Sequence, residues 1–116
     1  MYRITKSFTF SASHRLEGLP VEHQCARLHG HNYIVELILE SQVLDEVGFV
    51  TDFGALAPVK RWLDDKFDHR HLNDVLPMNP TSENFAAYIY SQWAEQYPLA
   101  AVRVSETGTS WAEYRN

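Results

Sequence analysis

Two long stretches of strict alternation, residues 3–14 and 29–40, constrain this chain more than any other feature. In the first, Phe8, Phe10, Ala12 and His14 fall on one side and Thr9, Ser11 and Ser13 on the other. In the second, Tyr33, Val35, Leu37 and Leu39 share a side opposite Glu36 and Glu40. A period of two marks a half-buried strand, because successive side chains on a pleated backbone point to opposite faces. Between them, residues 15–28 carry Gly18, Pro20 and several charges and read as an excursion from one strand to the next.

The remaining chain switches to helical spacing. Residues 41–52 are a connection, and Asp52 is an N-cap for a helix over 53–66 whose buried stripe is Leu56, Val59, Leu63 and Phe67. Pro58 lies deeper than a first helical turn tolerates, so this helix needs a tight opening turn or a later start. A second helix follows Pro80, capped by Thr81 or Ser82, with Glu83 in its first turn, Phe85, Ile89 and Trp93 on one face, and Pro98 at its end. A hairpin closes the chain: a strand through Val102 and Val104, a turn at Gly108, and a strand from Trp111 to Tyr114. The order β-β-α-α-β-β predicts an α+β fold, a four-stranded antiparallel sheet with two helices on one face. No repeat or linker interrupts it, so residues 1–116 read as one domain.

Composition narrows the function. The formal net charge is −5 and no basic cluster stands out, which argues against a nucleic-acid partner. No run approaches the ~18 apolar residues of a membrane span, and the opening MYRITKSFTF lacks the apolar core of a signal peptide, so a cytoplasmic protein is expected. With Cys25 as the single cysteine, no intrachain disulfide forms.

The histidines carry more. His29-Gly30-His31 opens the second strand, where residues i and i+2 project from the same face, and Gly30 leaves room for another segment to approach. His14 ends the first strand, and in an antiparallel pair its neighbour lies near the start of the next. Three imidazoles then meet at one point. Three nitrogen ligands with an open fourth position is the pattern of catalytic zinc, whereas structural zinc is closed by four ligands rich in cysteine. An isolated His-x-His is also what an ordinary polar strand start looks like, so the other residues decide. Cys25 lies in a polar loop beside arginines, which lower a thiol pKa, although a lone cysteine also serves as a small apolar filler. Asp68 beside His69 is the pairing that orients a proton-carrying imidazole, or simply a polar helix exit. Glu106 shares the strand face of Val102 and Val104; it either pairs with an arginine or accepts two N–H bonds from a guanidine-like ligand edge.

Taken together, Phe10-Ser11-Ala12-Ser13-His14, Cys25-Ala26-Arg27-Leu28-His29-Gly30-His31-Asn32-Tyr33, Gly48-Phe49-Val50-Thr51-Asp52-Phe53, Asp68-His69 with Leu72-Asn73, Asn79-Pro80-Thr81-Ser82-Glu83 and Ser105-Glu106-Thr107 resemble the 6-pyruvoyl-tetrahydropterin synthase superfamily over nearly the whole chain. Three residues separate Cys25 from His29, the spacing of its bacterial 6-carboxytetrahydropterin-forming branch, which serves queuosine biosynthesis. The resemblance implies Zn2+ on His14, His29 and His31, a proton-abstracting Cys25, an acid–base pair in Asp68 and His69, and a pterin-anchoring Glu106. It implies 7,8-dihydroneopterin triphosphate as substrate, with 6-carboxytetrahydropterin, acetaldehyde and triphosphate as products. The pyruvoyl-forming reaction is the nearest alternative, and a non-catalytic zinc-binding module a more distant one. It also implies the tunnelling fold, in which subunits pool their sheets into a barrel, in a homohexamer (a dimer of trimers) with active sites between subunits. His71 departs from the family pattern, so the two histidines 69 and 71 stand as candidates for one proton. Arg15, Arg27, Arg70 and Lys6 are candidates for the triphosphate.

Overall fold

A computed structural model describes residues 1–116. Strands β1 (Tyr2–His14) and β2 (His29–Ser41) form a long antiparallel pair, covered by helix α1 (Ala57–Lys66), the short helix α2 (Leu72–Val75) and α3 (Ser82–Trp93). Strand β3 (Arg70–His71) precedes α2, and strands β4 (Leu99–Ser105) and β5 (Ala112–Tyr114) close the chain. The sheet therefore has five strands in the order β3-β1-β2-β4-β5, not the expected four. The extra strand is two residues long and runs parallel to β1, pairing Arg70 with Ala12 and His71 with Ser13. No periodicity announces a strand of that length; backbone bonds to its neighbour define it.

The alternation is realised as predicted. Phe8, Phe10, Ala12 and His14 from β1 and Tyr33, Val35, Leu37 and Leu39 from β2 are all buried on the helix-covered face. They join Leu56, Val59, Leu63 and Phe67 from the α1 region and Phe85 and Ile89 from α3 in one contiguous core of 19 buried residues. The opposite face is mixed: Ser11 bonds to Asn32 and Arg103 to Glu36, while Ile38 and Ala101, paired across β2 and β4, are buried there.

Pro58 settles where α1 begins. A tight turn over Phe53–Leu56 comes first, capped by Asp52 accepting from the Gly54 N–H, and the α-helix starts at Ala57 with the proline in its first turn. There its missing N–H costs nothing. Thr81 caps α3 by accepting from Asn84 N–H at 3.1 Å. That helix ends at Trp93, earlier than Pro98 requires, and β5 begins at Ala112, one residue after the expected Trp111.

Candidate metal centre

The register of β1 on β2 builds this site. His14 pairs directly with His29, and Ala12 with His31, so the two strand ends deliver three imidazoles to the same face. His14 Nε2 lies 2.9 Å from His29 Nε2 and 3.1 Å from His31 Nε2, and all three ligating nitrogens fall within 4.8 Å of one another. Tetrahedral zinc with Zn–N bonds near 2.0–2.1 Å separates its nitrogens by about 3.3 Å. The two His14 distances are within a few tenths of an ångström of that value, while the trio as a whole spans up to 4.8 Å.

The proton positions make the same point. His14 Nδ1 faces the Pro80 carbonyl at 2.9 Å, and His29 Nδ1 faces the Arg27 carbonyl at 2.7 Å. A carbonyl only accepts, so both Nδ1 atoms carry the proton and both Nε2 atoms present lone pairs. Two lone pairs 2.9 Å apart repel unless a cation stands between them. Burial lowers the pKa of His14 and of His31, which keeps both rings neutral and able to ligate. These residues fit a divalent metal, with carbonyl groups fixing two of its ligands from behind. Gly30 is not needed for clearance: a Cβ there would meet the Ala12 carbonyl at an ordinary 3.6 Å.

Glu106 stands one residue past the end of β4, and its carboxylate reaches the trio, with oxygens 3.4 Å from His31 Nε2 and 3.9 Å from His14 Nε2. It pairs with no arginine. Ser82, at the start of α3, donates to it at 3.0 Å and fixes its orientation. Glu106 also lines a cavity of about 400 Å3, with Ser82 and Trp111 among the other walls.

Asp68 and His69 form a second group. The two adjacent side chains do touch, Asp68 Oδ2 to His69 Nδ1 at 3.0 Å, because His69 takes a left-handed backbone with φ of 58°. The other Asp68 oxygen accepts from Ser11 N–H at 3.0 Å. That backbone bond and the imidazole hold the Asp68 carboxyl below its ordinary pKa. His71 is bonded elsewhere, to the Ser13 hydroxyl at 3.0 Å. His69, Arg70 and His71 line a cleft of about 450 Å3 with Ser11, Ser13 and Asn32. The pleat points Ser11, Ser13 and Asn32 away from the side of the sheet that carries the histidine trio, although His31 of the trio also lines this cleft.

Cys25 is half-buried in a short turn, Gln24–Ala26, and its side chain bonds to neither group. His23, close in sequence to the ligands, caps that turn by accepting from Cys25 N–H and takes no part in the trio.

The family model described as 6-pyruvoyl tetrahydropterin synthase matches residues 3–116. The chain belongs to that family. It is similar to the 6-carboxy-5,6,7,8-tetrahydropterin synthase of Synechocystis sp., 39% identical, covering 98% of this chain and 93% of that one. It is similar to the enzyme of the same name from Rickettsia felis, 31% identical, covering 79% of this chain and 80% of that one. Among solved structures, 6-pyruvoyl tetrahydropterin synthase from Caenorhabditis elegans superposes with a TM-score of 0.86 at 27% identity, covering 99% of this chain and 95% of that one.

Within this pterin synthase family member, several positioning residues escape a reading of chemistry-bearing types alone. Asn73 exchanges two bonds with the backbone of Arg15, both 2.8 Å, and Asn79 does the same with Glu17 at 2.9 and 3.1 Å. Each amide imitates a strand neighbour and clamps the excursion that carries Cys25. Tyr33, fully buried, sets its hydroxyl 3.0 Å from His14 Nδ1, a second oxygen around that proton. All three asparagine and tyrosine positions lie inside the sequence motifs; what the motifs lacked was a stated physical reason.

Proposed function

We propose that this chain is a zinc-dependent synthase that takes 7,8-dihydroneopterin triphosphate, with water, to 6-carboxytetrahydropterin, acetaldehyde and triphosphate. The observation that carries the reading is the convergence of three imidazoles, two with their outer nitrogens pinned by carbonyls, beside a carboxylate 3.4 Å away. His14, His29 and His31 hold the ion, and zinc bound there supplies the Lewis acidity that lowers the pKa of a substrate hydroxyl. Glu106, braced by Ser82, accepts the paired N–H bonds of the pterin edge and keeps the substrate side chain over the trio. Asp68 fixes the proton of His69 on Nδ1, which leaves Nε2 to give or take a proton. Cys25, as thiolate, removes a proton from the substrate side chain.

The two groups face opposite sides of one sheet, so a productive site needs more than one copy of the chain. A hexamer of two trimers, with pooled sheets and sites between subunits, supplies this. The carboxy-forming outcome is favoured by relatives of that name at 31 and 39% identity.

Incubating zinc-loaded protein with 7,8-dihydroneopterin triphosphate and analysing products by mass spectrometry tests the reading. Acetaldehyde and the 6-carboxy product are expected, and Cys25→Ala should abolish both while retaining zinc. A 6-pyruvoyl product without acetaldehyde would overturn the carboxy assignment, and bound but unchanged substrate would overturn the enzyme reading.

A further inference from the structure

The cavity beside the metal trio has a wall that the chemistry above leaves unused. It opens at the end of the sheet, between the start of α3 and the β4–β5 hairpin, and Trp111 stands in it together with Ser82, Glu106 and Ser110. Trp111 keeps 37% of its surface exposed, an unusual state for the largest side chain type. Nor is the ring loose. The Arg103 guanidinium lies over it, 4.3 Å from the ring centroid. Arg103 in turn is held by Glu36 of β2 at 3.0 Å and Glu113 of β5 at 3.6 Å. Three strands thus brace the indole from one side, and the cation on that side leaves the other for a ligand.

A braced aromatic face lining the same cavity as a carboxylate with no arginine partner is a two-point site for a flat molecule. The carboxylate takes N–H donors in the plane of such a molecule, and the indole takes its face. We infer that Trp111 is a stacking platform for the bicyclic heteroaromatic ring whose amino edge Glu106 holds, and so a specificity-determining residue of this site. The inference rests on the pterin reading above and adds the residue that makes the cavity prefer a flat ring to a sugar or an aliphatic acid.

Calorimetric titration with neopterin, the oxidised pterin with the same trihydroxypropyl side chain, tests it on the zinc-loaded protein. Trp111→Ala should weaken binding by at least about five-fold, the scale of losing one base–aromatic stack. Trp111→Phe should restore affinity to within about three-fold, because a ring face remains. Saturating neopterin should quench tryptophan emission in the native protein but not in Trp111→Phe, since Trp62 and Trp93 sit with Phe67 and Tyr97 in the aromatic cluster under the helices. In turnover, Trp111→Ala should raise KM and leave kcat near native. Neopterin binding to Trp111→Ala with native affinity, while Glu106→Gln loses it, would overturn the platform and leave the pterin reading standing. No binding to the native protein, or native binding to Glu106→Gln, would overturn the pterin reading itself. Should Trp111→Ala fail to fold, Trp111→Phe still decides: quenching that survives in it removes the indole from the site.

Discussion

Zinc added to chelator-stripped protein should raise the thermal midpoint by about 10 °C at a hundred-fold excess over its dissociation constant, because the site exists only in the folded chain. His14 Nε2 already stands 2.9 and 3.1 Å from its two neighbours, against about 3.3 Å around a tetrahedral ion, and the whole trio spans no more than 4.8 Å, so binding demands side-chain adjustment without refolding. Two of the three rings are held from behind by carbonyls, which leaves little side-chain freedom to lose on loading. Linkage then stabilises the native state by ~2.7 kcal/mol at a hundred-fold excess of free zinc over its dissociation constant. For a chain of 116 residues, each kcal/mol moves the midpoint by about 4 °C. Circular dichroism melts across a zinc series should give a further rise of roughly 5 °C per ten-fold increase in free zinc. Magnesium, which prefers oxygen ligands, should leave the midpoint in place. His29→Ala should remove the zinc dependence. A midpoint indifferent to zinc throughout the series would refute the reasoning, because a preorganised three-nitrogen site cannot bind an ion without stabilising the fold that makes it.

Two further outcomes follow from the fold. Asp68 carries a folded-state pKa below its ordinary 3.8, so its contribution is complete above that value and fades as pH falls through the lower one; Asp68→Asn should flatten the acid limb of a urea-midpoint series between about pH 5 and pH 2.5, and an unchanged slope would contradict the Ser11 and His69 bonds as its cause. Leu63, 1% exposed in the centre of the core, should cost about 2–5 kcal/mol on truncation to Ala by chemical denaturation, a large share of the ~5–15 kcal/mol typical of a domain.

The legible parts of this molecule were those governed by periodicity. Alternation gave both long strands and the buried residues of their helix-covered face, but not Ile38, which is buried on the other face of β2. It also gave the clustering of three histidines that could hold a metal ion, because His29 and His31 two apart on a strand must share a face and an antiparallel register brings His14 opposite His29. What stayed hidden has no period. Strand β3 is two residues held by backbone bonds, the Asn73 and Asn79 clamps depend on side chains meeting backbone 58 and 62 residues away, and the Asp68–His69 contact depends on a left-handed residue. Adjacent side chains on ordinary extended or helical backbone diverge; a positive φ at His69 is what folds the ring back onto its neighbour.

The position of that pair leads to the last prediction. His69 lies with Ser11 and Ser13 in a cleft that His31 also lines, while the strand register turns the histidine trio toward the helix-covered face with Glu106. A β-sheet is a wall of paired backbone, and no rotamer carries a side chain through it. If both groups serve one reaction, the proton carrier at each metal comes from a different copy of the chain. Cys25→Ala and His69→Ala would each be inactive alone. If Cys25 acts with the metal of its own chain, unfolding and reassembling the two variants together in equal amounts should restore about one native site in four, because half the positions on each side of the interface are intact. Recovery of activity on mixing, absent when the same variants are assayed separately, would identify sites built between copies. Mixed assemblies that form by native mass spectrometry yet stay inactive would mean that Cys25 and His69 act from the same copy, and the assignment of Cys25 to the metal of its own chain would have to be abandoned.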